Sequence, residues 1–245
     1  MIFCCIKMKP FPQNNPTGIT QEQVAKFYER IIFPSKTSHK SYEELVPKNL
    51  ASLKVGDFGC GQSLFVDVFK KLKHESVFLD ISINALETID YGEKIQASLT
   101  DIPLKNGCMD VIFCIGVVHH IPKMKMAILE LIRVLQKGGK LYLGVYNHKS
   151  IQAMIRKLYD YTRNAFLKKS IFSVVAILIW IKNRKNSLQY GSFDHLKRIE
   201  DLLETPLVRY LPPDYYAEIL NNGGCHITGI KKISSMNVLI VKKLK

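Results

Sequence analysis

Acidic residues are in short supply. Of 245 residues, 21 are Asp or Glu and 35 are Lys or Arg, giving a formal net charge of +14 and a sequence pI near 9.4. Such a balance favours anionic surroundings and puts nucleic acid among the partners to be weighed. The six cysteines, Cys4, Cys5, Cys60, Cys108, Cys114 and Cys225, show no C-x-x-C spacing, so no secreted disulfide framework is indicated and a reducing compartment, the cytoplasm, fits best. His, Asp and Glu form no chelating cluster that would suggest a metal. Long apolar runs are lacking as well. The opening Met1-Ile-Phe-Cys-Cys-Ile is too short for a signal-peptide core. The run from Ile171 to Ile181 would rise only about 16 Å as a helix, far short of the roughly 30 Å hydrocarbon core of a bilayer.

Glycine, by contrast, is placed with purpose. Leu53-Lys-Val-Gly-Asp57-Phe-Gly59-Cys-Gly61-Gln-Ser63 reads as a buried strand ending in an acid and a glycine turn, and a helix-period segment follows. Gly59 and Gly61 supply positive φ, or a close approach of ligand to backbone, and the following helix turns unpaired N–H groups back toward the bend. About twenty residues later Val77-Phe-Leu-Asp80 ends in a second acid, whose two oxygens suit the two hydroxyls of a ribose. The dinucleotide fingerprint would need a third glycine at position 64, where the chain has Leu64, and no Lys-Ser or Lys-Thr follows as in a phosphate-binding loop. Asp57, directly before the turn, would repel a phosphate and suits a cationic or zwitterionic ligand.

These residues, with Leu99-Thr-Asp101-Ile-Pro103, Asp110 through His119-His120, and Arg133 through Gly138-Gly139-Lys-Leu-Tyr-Leu, resemble the class I S-adenosylmethionine-dependent methyltransferases. Order and spacing are those of the small-molecule branch that includes the ubiquinone and menaquinone pathway enzymes. The resemblance covers roughly residues 50 to 147 and is looser beyond. It implies S-adenosyl-L-methionine as cofactor: the Gly59 to Gly61 backbone under the methionine part, Asp57 receiving its ammonium, Asp80 on the ribose, and Asp101 with the Ile102 backbone at the adenine edge. Cys60, Ile81 and Cys114 complete the implied binding set. Ser63 departs from the family, many members of which carry a glycine nearby; a serine there can cap the following helix.

The implied fold is α/β, a Rossmann-like three-layer sandwich. Its seven-stranded sheet is mostly parallel with an antiparallel last strand, and it carries a helical N-terminal segment and a helical insertion. The division reads as a cap over 1–49, the cofactor-binding core over 50–147, a basic and apolar insertion or lid over 148–205, and a closing helix and β-hairpin over 206–245. Thr20-Gln-Glu-Gln23 is a capping box, after which Val24, Phe27, Tyr28 and Ile31 share one helical face. Strands are expected at about 77–80, 111–116 and 140–146, and helices near 63–73, 84–91 and 124–136, with Gly138-Gly139 as a helix stop. A helix from Asp214 and strands at 227–233 and 237–241 close the chain.

Methyl transfer needs alignment of the acceptor and exclusion of water. An oxygen or nitrogen acceptor must also lose a proton, and His119 and His120, at a strand end, are the catalytic candidates; each has the alternative of capping the next helix. Tyr146 and Asn147 are further pocket candidates. Residues 151–200 hold ten Lys or Arg against three acids and enclose the apolar run ending near Trp180. This stretch is either a lid over an apolar pocket or, through 165–186, a peripheral contact with a membrane surface. A small, apolar methyl acceptor is favoured either way, with oxygen ahead of carbon or nitrogen. Nucleic acid is disfavoured, because Cys114-Ile-Gly-Val-Val-His-His stands where a base methyltransferase would carry Asn/Asp-Pro-Pro-aromatic. A non-catalytic binding protein on the same fold is the remaining alternative.

Overall fold

The computed structural model describes residues 18–30, 40–48, 53–162, 164–183 and 199–244. The expected position of Ile31 and the side chain of Trp180 lie outside the described residues, as does the lower boundary of the core near residue 50. Seven strands form one sheet: β1 (Lys54–Phe58), β2 (Glu75–Asp80), β3 (Glu93–Gln96), β4 (Met109–Ile115), β5 (Leu135–Tyr146), β6 (Cys225–Ile233) and β7 (Met236–Lys243). Their spatial order is β3-β2-β1-β4-β5-β7-β6. The first five are parallel, and β7 runs antiparallel to both neighbours. The strand order reverses between β1 and β4, which opens a crevice at their carboxyl ends, the usual ligand position in such sheets.

β1, β2 and β4 are buried on both faces because helices cover both. On one face Leu79, Ile112, Cys114, Leu141 and Leu143 pack with α5 (Met124–Val134) and α8 (Pro213–Asn222). On the other, Phe78, Val111, Phe113 and Tyr142 pack with α2 (Lys40–Glu43), α3 (Val66–Leu72) and α4 (Ile83–Glu87). Strand alternation assigns successive residues to opposite layers, so the apolar runs read from the sequence serve two cores at once.

Two expectations change. β3 was not foreseen: as an edge strand of four mostly exposed residues, Glu-Lys-Ile-Gln, it lacks the apolar run that marks its neighbours. Gly138-Gly139 does not stop a helix either. Helix α5 ends at Val134 and the chain turns directly into β5, whose pairing with β4 shifts register between Met109 and Val111. The glycines fill that irregularity: a Cβ on Gly139 would come within 2.9 Å of the Asp110 and Gln136 carbonyl oxygens.

The capping box forms as read, the Thr20 amide donating to Gln23 Oε1 at 2.8 Å and the Gln23 amide to Thr20 Oγ1 at 3.2 Å. It starts α1 (Gln21–Arg30), with Val24 and Phe27 buried. After β5 come α6 (Ile151–Tyr161), α7 (Ala165–Asn183) and a helical stretch over 199–204. No helix among the described residues is long and apolar enough to cross a membrane.

Phe113 anchors the second layer, stacked on Tyr142 at 4.8 Å and 4.4 Å from the Phe65 ring. Replacement by alanine leaves a large void between sheet and helices. Phe113→Ala should cost about 3–5 kcal/mol, seen as a fall in Tm on the order of 10 °C in thermal unfolding.

Candidate active site

The turn after β1 needs glycine twice. Gly59 has φ +72° and Gly61 φ +53°, a region that side chains adopt only at a cost. At Gly59 a Cβ would also lie 2.5 Å from both γ-methyls of Val117, whereas at Gly61 nothing stands within 4 Å of that position. The bend is therefore packed on one side and open on the other. The amides of Gly59 and Cys60 donate to the Leu79 carbonyl at 2.6 and 3.2 Å, which ties the turn to β2.

Ser63 does not cap α3, whose N-cap is Phe65 with no side-chain bond. Its φ of +59° turns the chain a residue earlier. There its hydroxyl donates to Asp57 Oδ2 at 2.7 Å and accepts from the Phe65 amide at 3.1 Å. A glycine would take that turn without strain but would leave Asp57 without its hydroxyl partner.

Asp57, near the end of β1, and Asp80, the last residue of β2, are 4% and 9% exposed. Asp80 accepts from the Gly61 amide at 2.8 Å and the Ser82 amide at 2.9 Å, and so fixes both the glycine turn and the start of α4. Burial lifts the Asp57 carboxyl to about 7, opposed by the Ser63 hydroxyl and reinforced by the Asp80 charge. Burial also raises Asp80, against the Ser82 and Gly61 amides and with help from the nearby charge of Glu29. Among the described residues no lysine or arginine pairs with either acid. Two buried acids without a cation are costly, and a positively charged ligand would relieve that cost.

The other expected binding residues divide. Cys60 is half-buried in the turn, its thiol raised by burial and then by Asp57 and Asp80. The Ile81 carbonyl accepts from Gln96 Nε2 at 3.2 Å. Asp101 is exposed, and the Ile102 amide is already engaged by Glu130 Oε2 at 3.0 Å. Ser98, which the sequence did not mark, and Leu99, the first residue of the quoted motif, follow Ala97, whose amide donates to the Asp80 carbonyl at 3.0 Å, so they stand just beyond the β3 tip. Cys114 is fully buried in the α5-side core. Burial pushes its thiol pKa far up, and the nearby Asp57 and Asp80 charges push it in the same direction.

Beyond β4 and β5 lies an aromatic cluster. His119 and His120 form a short 3-10 turn over Val118–His120 and are both buried, so neither caps α5. His120 Nδ1 stands 2.7 Å from the Leu207 carbonyl and is therefore the protonated nitrogen donating to it. Among the described residues neither ring nitrogen of His119 has a hydrogen-bond partner. Burial, then the neighbouring His120 and Arg209, hold His119 well below the usual histidine range, so it is neutral with an unused lone pair. Its ring lies 4.1 Å from that of Tyr146, whose hydroxyl donates to Asp201 Oδ2 at 3.1 Å. Tyr28 of α1 donates to Asp201 Oδ1 at 3.0 Å. Arg209 clamps the loop through the Ile121 and Pro122 carbonyls.

Helix α1 thus spans the crevice mouth: Glu29 accepts from Asn84 of α4 on the Asp80 side, and Tyr28 reaches Asp201 and the His120 ring on the other. The sequence marked His119, His120 and Tyr146 but not Asp201 or Tyr28's role, because those partners lie 173 and 55 residues apart.

A methyltransferase domain family matches residues 56–143, a stretch that begins just before Asp57, contains Asp80 and ends within β5. Residues 56–143 thus carry a methyltransferase domain, and the chain as a whole is similar to S-adenosylmethionine-dependent methyltransferases. An uncharacterized protein of Methanocaldococcus jannaschii is 34% identical across 42% of this chain and 45% of its own length, so the chain spans under half of that relative. A ubiquinone/menaquinone biosynthesis C-methyltransferase of Campylobacter jejuni is 23% identical across 96% of both chains. Among solved structures, a Burkholderia thailandensis 1,6-didemethyltoxoflavin-N1-methyltransferase with bound S-adenosylhomocysteine superposes with TM-score 0.55, at 10% identity over 86% of this chain and 80% of that one. Its likeness is one of fold.

The residues of this domain fit S-adenosylmethionine. Asp57 and Asp80 lack a cation, the open side of Gly61 leaves room beside the backbone, and a sulfonium nucleoside with an amino-acid tail brings both positive charge and ribose hydroxyls.

A cationic ligand prefers ionised Asp57, whereas the free carboxyl holds its proton below about 7. Affinity for S-adenosylhomocysteine should therefore fall as pH drops below about 7, approaching tenfold per unit, with proton release on binding in calorimetry. Ser63→Ala removes the one hydroxyl that lowers this group and should move the midpoint upward. Affinity flat across this range would contradict the assignment.

Proposed function

We propose that this enzyme methylates a small, largely apolar molecule that carries an ionisable hydroxyl, bound between the cofactor crevice and the Asp201, Tyr146 and His119 cluster. The carrying observation is His119: fully buried, both nitrogens unpartnered, wedged between two aromatic rings. Such a ring is an unmet polar demand that an acceptor hydroxyl would satisfy. The surrounding Tyr28, Tyr146 and Tyr210 rings favour an apolar, planar body.

When bound, the cofactor supplies an activated methyl group on sulfur. The protein's part is orientation and proton handling. Asp80 would hold the ribose and Asp57 the ammonium, with the Gly59 to Gly61 backbone beneath the tail and the loop after β3 at the adenine. His119 would accept the hydroxyl proton as the new bond forms, and Asp201, by fixing the Tyr28 and Tyr146 hydroxyls, would shape the wall around the acceptor. Oxygen is the favoured acceptor atom. A ring carbon beside the same hydroxyl needs the same proton loss, and the full-length likeness to a C-methyltransferase favours it as the second choice. In this scheme, of the described residues, α1 caps the crevice, those within 50–147 hold the cofactor, those within 148–205 wall the acceptor side and those within 206–245 close the sheet. The enzyme works in the cytoplasm.

His119→Leu tests the role cleanly, since the histidine ring makes no hydrogen bond to lose. Stability and S-adenosylhomocysteine affinity should hold, while transfer from methyl-tritiated cofactor to a panel of hydroxylated aromatic compounds falls by about 10²–10⁴. Label appearing in bulk RNA instead, driven by the +14 charge, would replace this acceptor class with nucleic acid. Unaltered transfer by the variant would remove His119 from the chemistry.

A further inference from the structure

Of fourteen large apolar side chains exposed among the described residues, nine lie in α6 and α7. On α6 they are Ile151, Met154, Leu158 and Tyr161, exposed by 58% or more. Spaced i, i+3, i+7, i+10, they make one stripe along the helix. The opposite face, Ala153, Arg156 and Tyr159, is buried. On α7, Phe166, Leu167, Val174, Ile177 and Leu178 are more than half exposed. The inner faces are already satisfied: Tyr159, Val175, Ile199 and Leu203 form a small core of their own with Ile171 and Phe172 packed on it. The outward stripes are therefore surplus to the packing of the described residues.

The charge beside these stripes has one sign. Between residues 151 and 185 the sequence has eight Lys or Arg and a single acid, Asp160. That acid is spoken for by Arg156, Nε to Oδ1 at 2.9 Å, and Arg156 also holds the Leu202 and Thr205 carbonyls. Lys157 and Lys169 are exposed beside the apolar rows, and Lys168 lies over the Tyr159 ring at 4.9 Å, its ammonium kept at the helix surface. A concavity at the turn between the helices, lined by Asp160, Tyr161, Thr162, Asn164 and Leu167, opens on the same region.

We infer that the outer faces of α6 and α7 form a docking surface for an anionic lipid bilayer, the apolar stripes entering the interface while the lysines meet the headgroups. A lipid surface fits better than a protein partner because both requirements are diffuse: apolar area without a shaped groove, and positive charge without a paired acid. Neither helix spans the bilayer, so the attachment is peripheral and reversible. The surface also carries the walls of the acceptor site, since 199–204 packs on these helices and contains Asp201; docking does not depend on that site being correctly assigned.

The test is co-sedimentation of the whole chain with vesicles of phosphatidylcholine alone and of phosphatidylcholine with phosphatidylglycerol, at low and high salt. Binding should be strong to the anionic vesicles, weak to the neutral ones and reduced by salt. The exposed pair Met154→Glu with Leu158→Glu should lower partitioning by roughly tenfold or more, and Leu178→Glu should act in the same direction from the second helix. Both variants should keep S-adenosylhomocysteine affinity, which shows them folded and separates this proposal from the catalytic one. No binding of the unaltered chain to anionic vesicles would overturn the inference. So would light scattering that shows a dimer in solution which the same substitutions break, since the surface would then serve a second copy of the chain.

Discussion

Two buried carboxylates stand at adjacent strand tips with no cationic side chain paired to them among the described residues, and much of the crevice is arranged around that tension. Asp80 is held by two backbone amides, one from the glycine turn and one from the start of the next helix. Asp57 is held by a serine whose backbone is itself forced left-handed. Each hydrogen bond that steadies an acid also fixes a segment of the loop. The negative charge is thus both the loop's fastener and its demand for a ligand. A fold built this way is best served when something positive arrives, which makes binding and ordering of the crevice a single event.

The same economy appears across the crevice with the roles exchanged. There the unmet groups are the ring nitrogens of His119, neutral through burial and surrounded by tyrosines whose hydroxyls are committed to Asp201. One side of the crevice is acidic and the other carries a neutral, buried imidazole. Helix α1 reaches both sides, through Glu29 and Tyr28. In the proposed reaction these two sides would bring donor and acceptor together and keep water out.

What could be read from the chain in advance was local. Gly59, Gly61 and the acids beside them sit within a few residues of the turn they make, so spacing alone exposes them. The strands buried on both faces declared themselves by apolar runs, whereas β3, with one neighbour and little burial, had no such run to show. Gly138-Gly139 misled because a glycine pair after an amphipathic run looks the same whether the chain stops or bends into a strand. Asp201 could not be seen at all: its meaning comes from tyrosines in α1 and β5, joined only by the folded chain. The apolar run in α7 was evident as composition, but its outward aim and the matching stripe on α6 required the packing of their inner faces.

The central assertion is that Asp57 and Asp80, with the bend between them, receive the methyl donor. A crystal of the protein grown with S-adenosylhomocysteine measures this most directly. The ribose hydroxyls should lie within hydrogen-bonding distance of the Asp80 carboxylate, with the amino-acid tail crossing Gly61 toward Asp57. Electron density for the nucleoside anywhere other than the carboxyl ends of β1 and β2 would contradict the account.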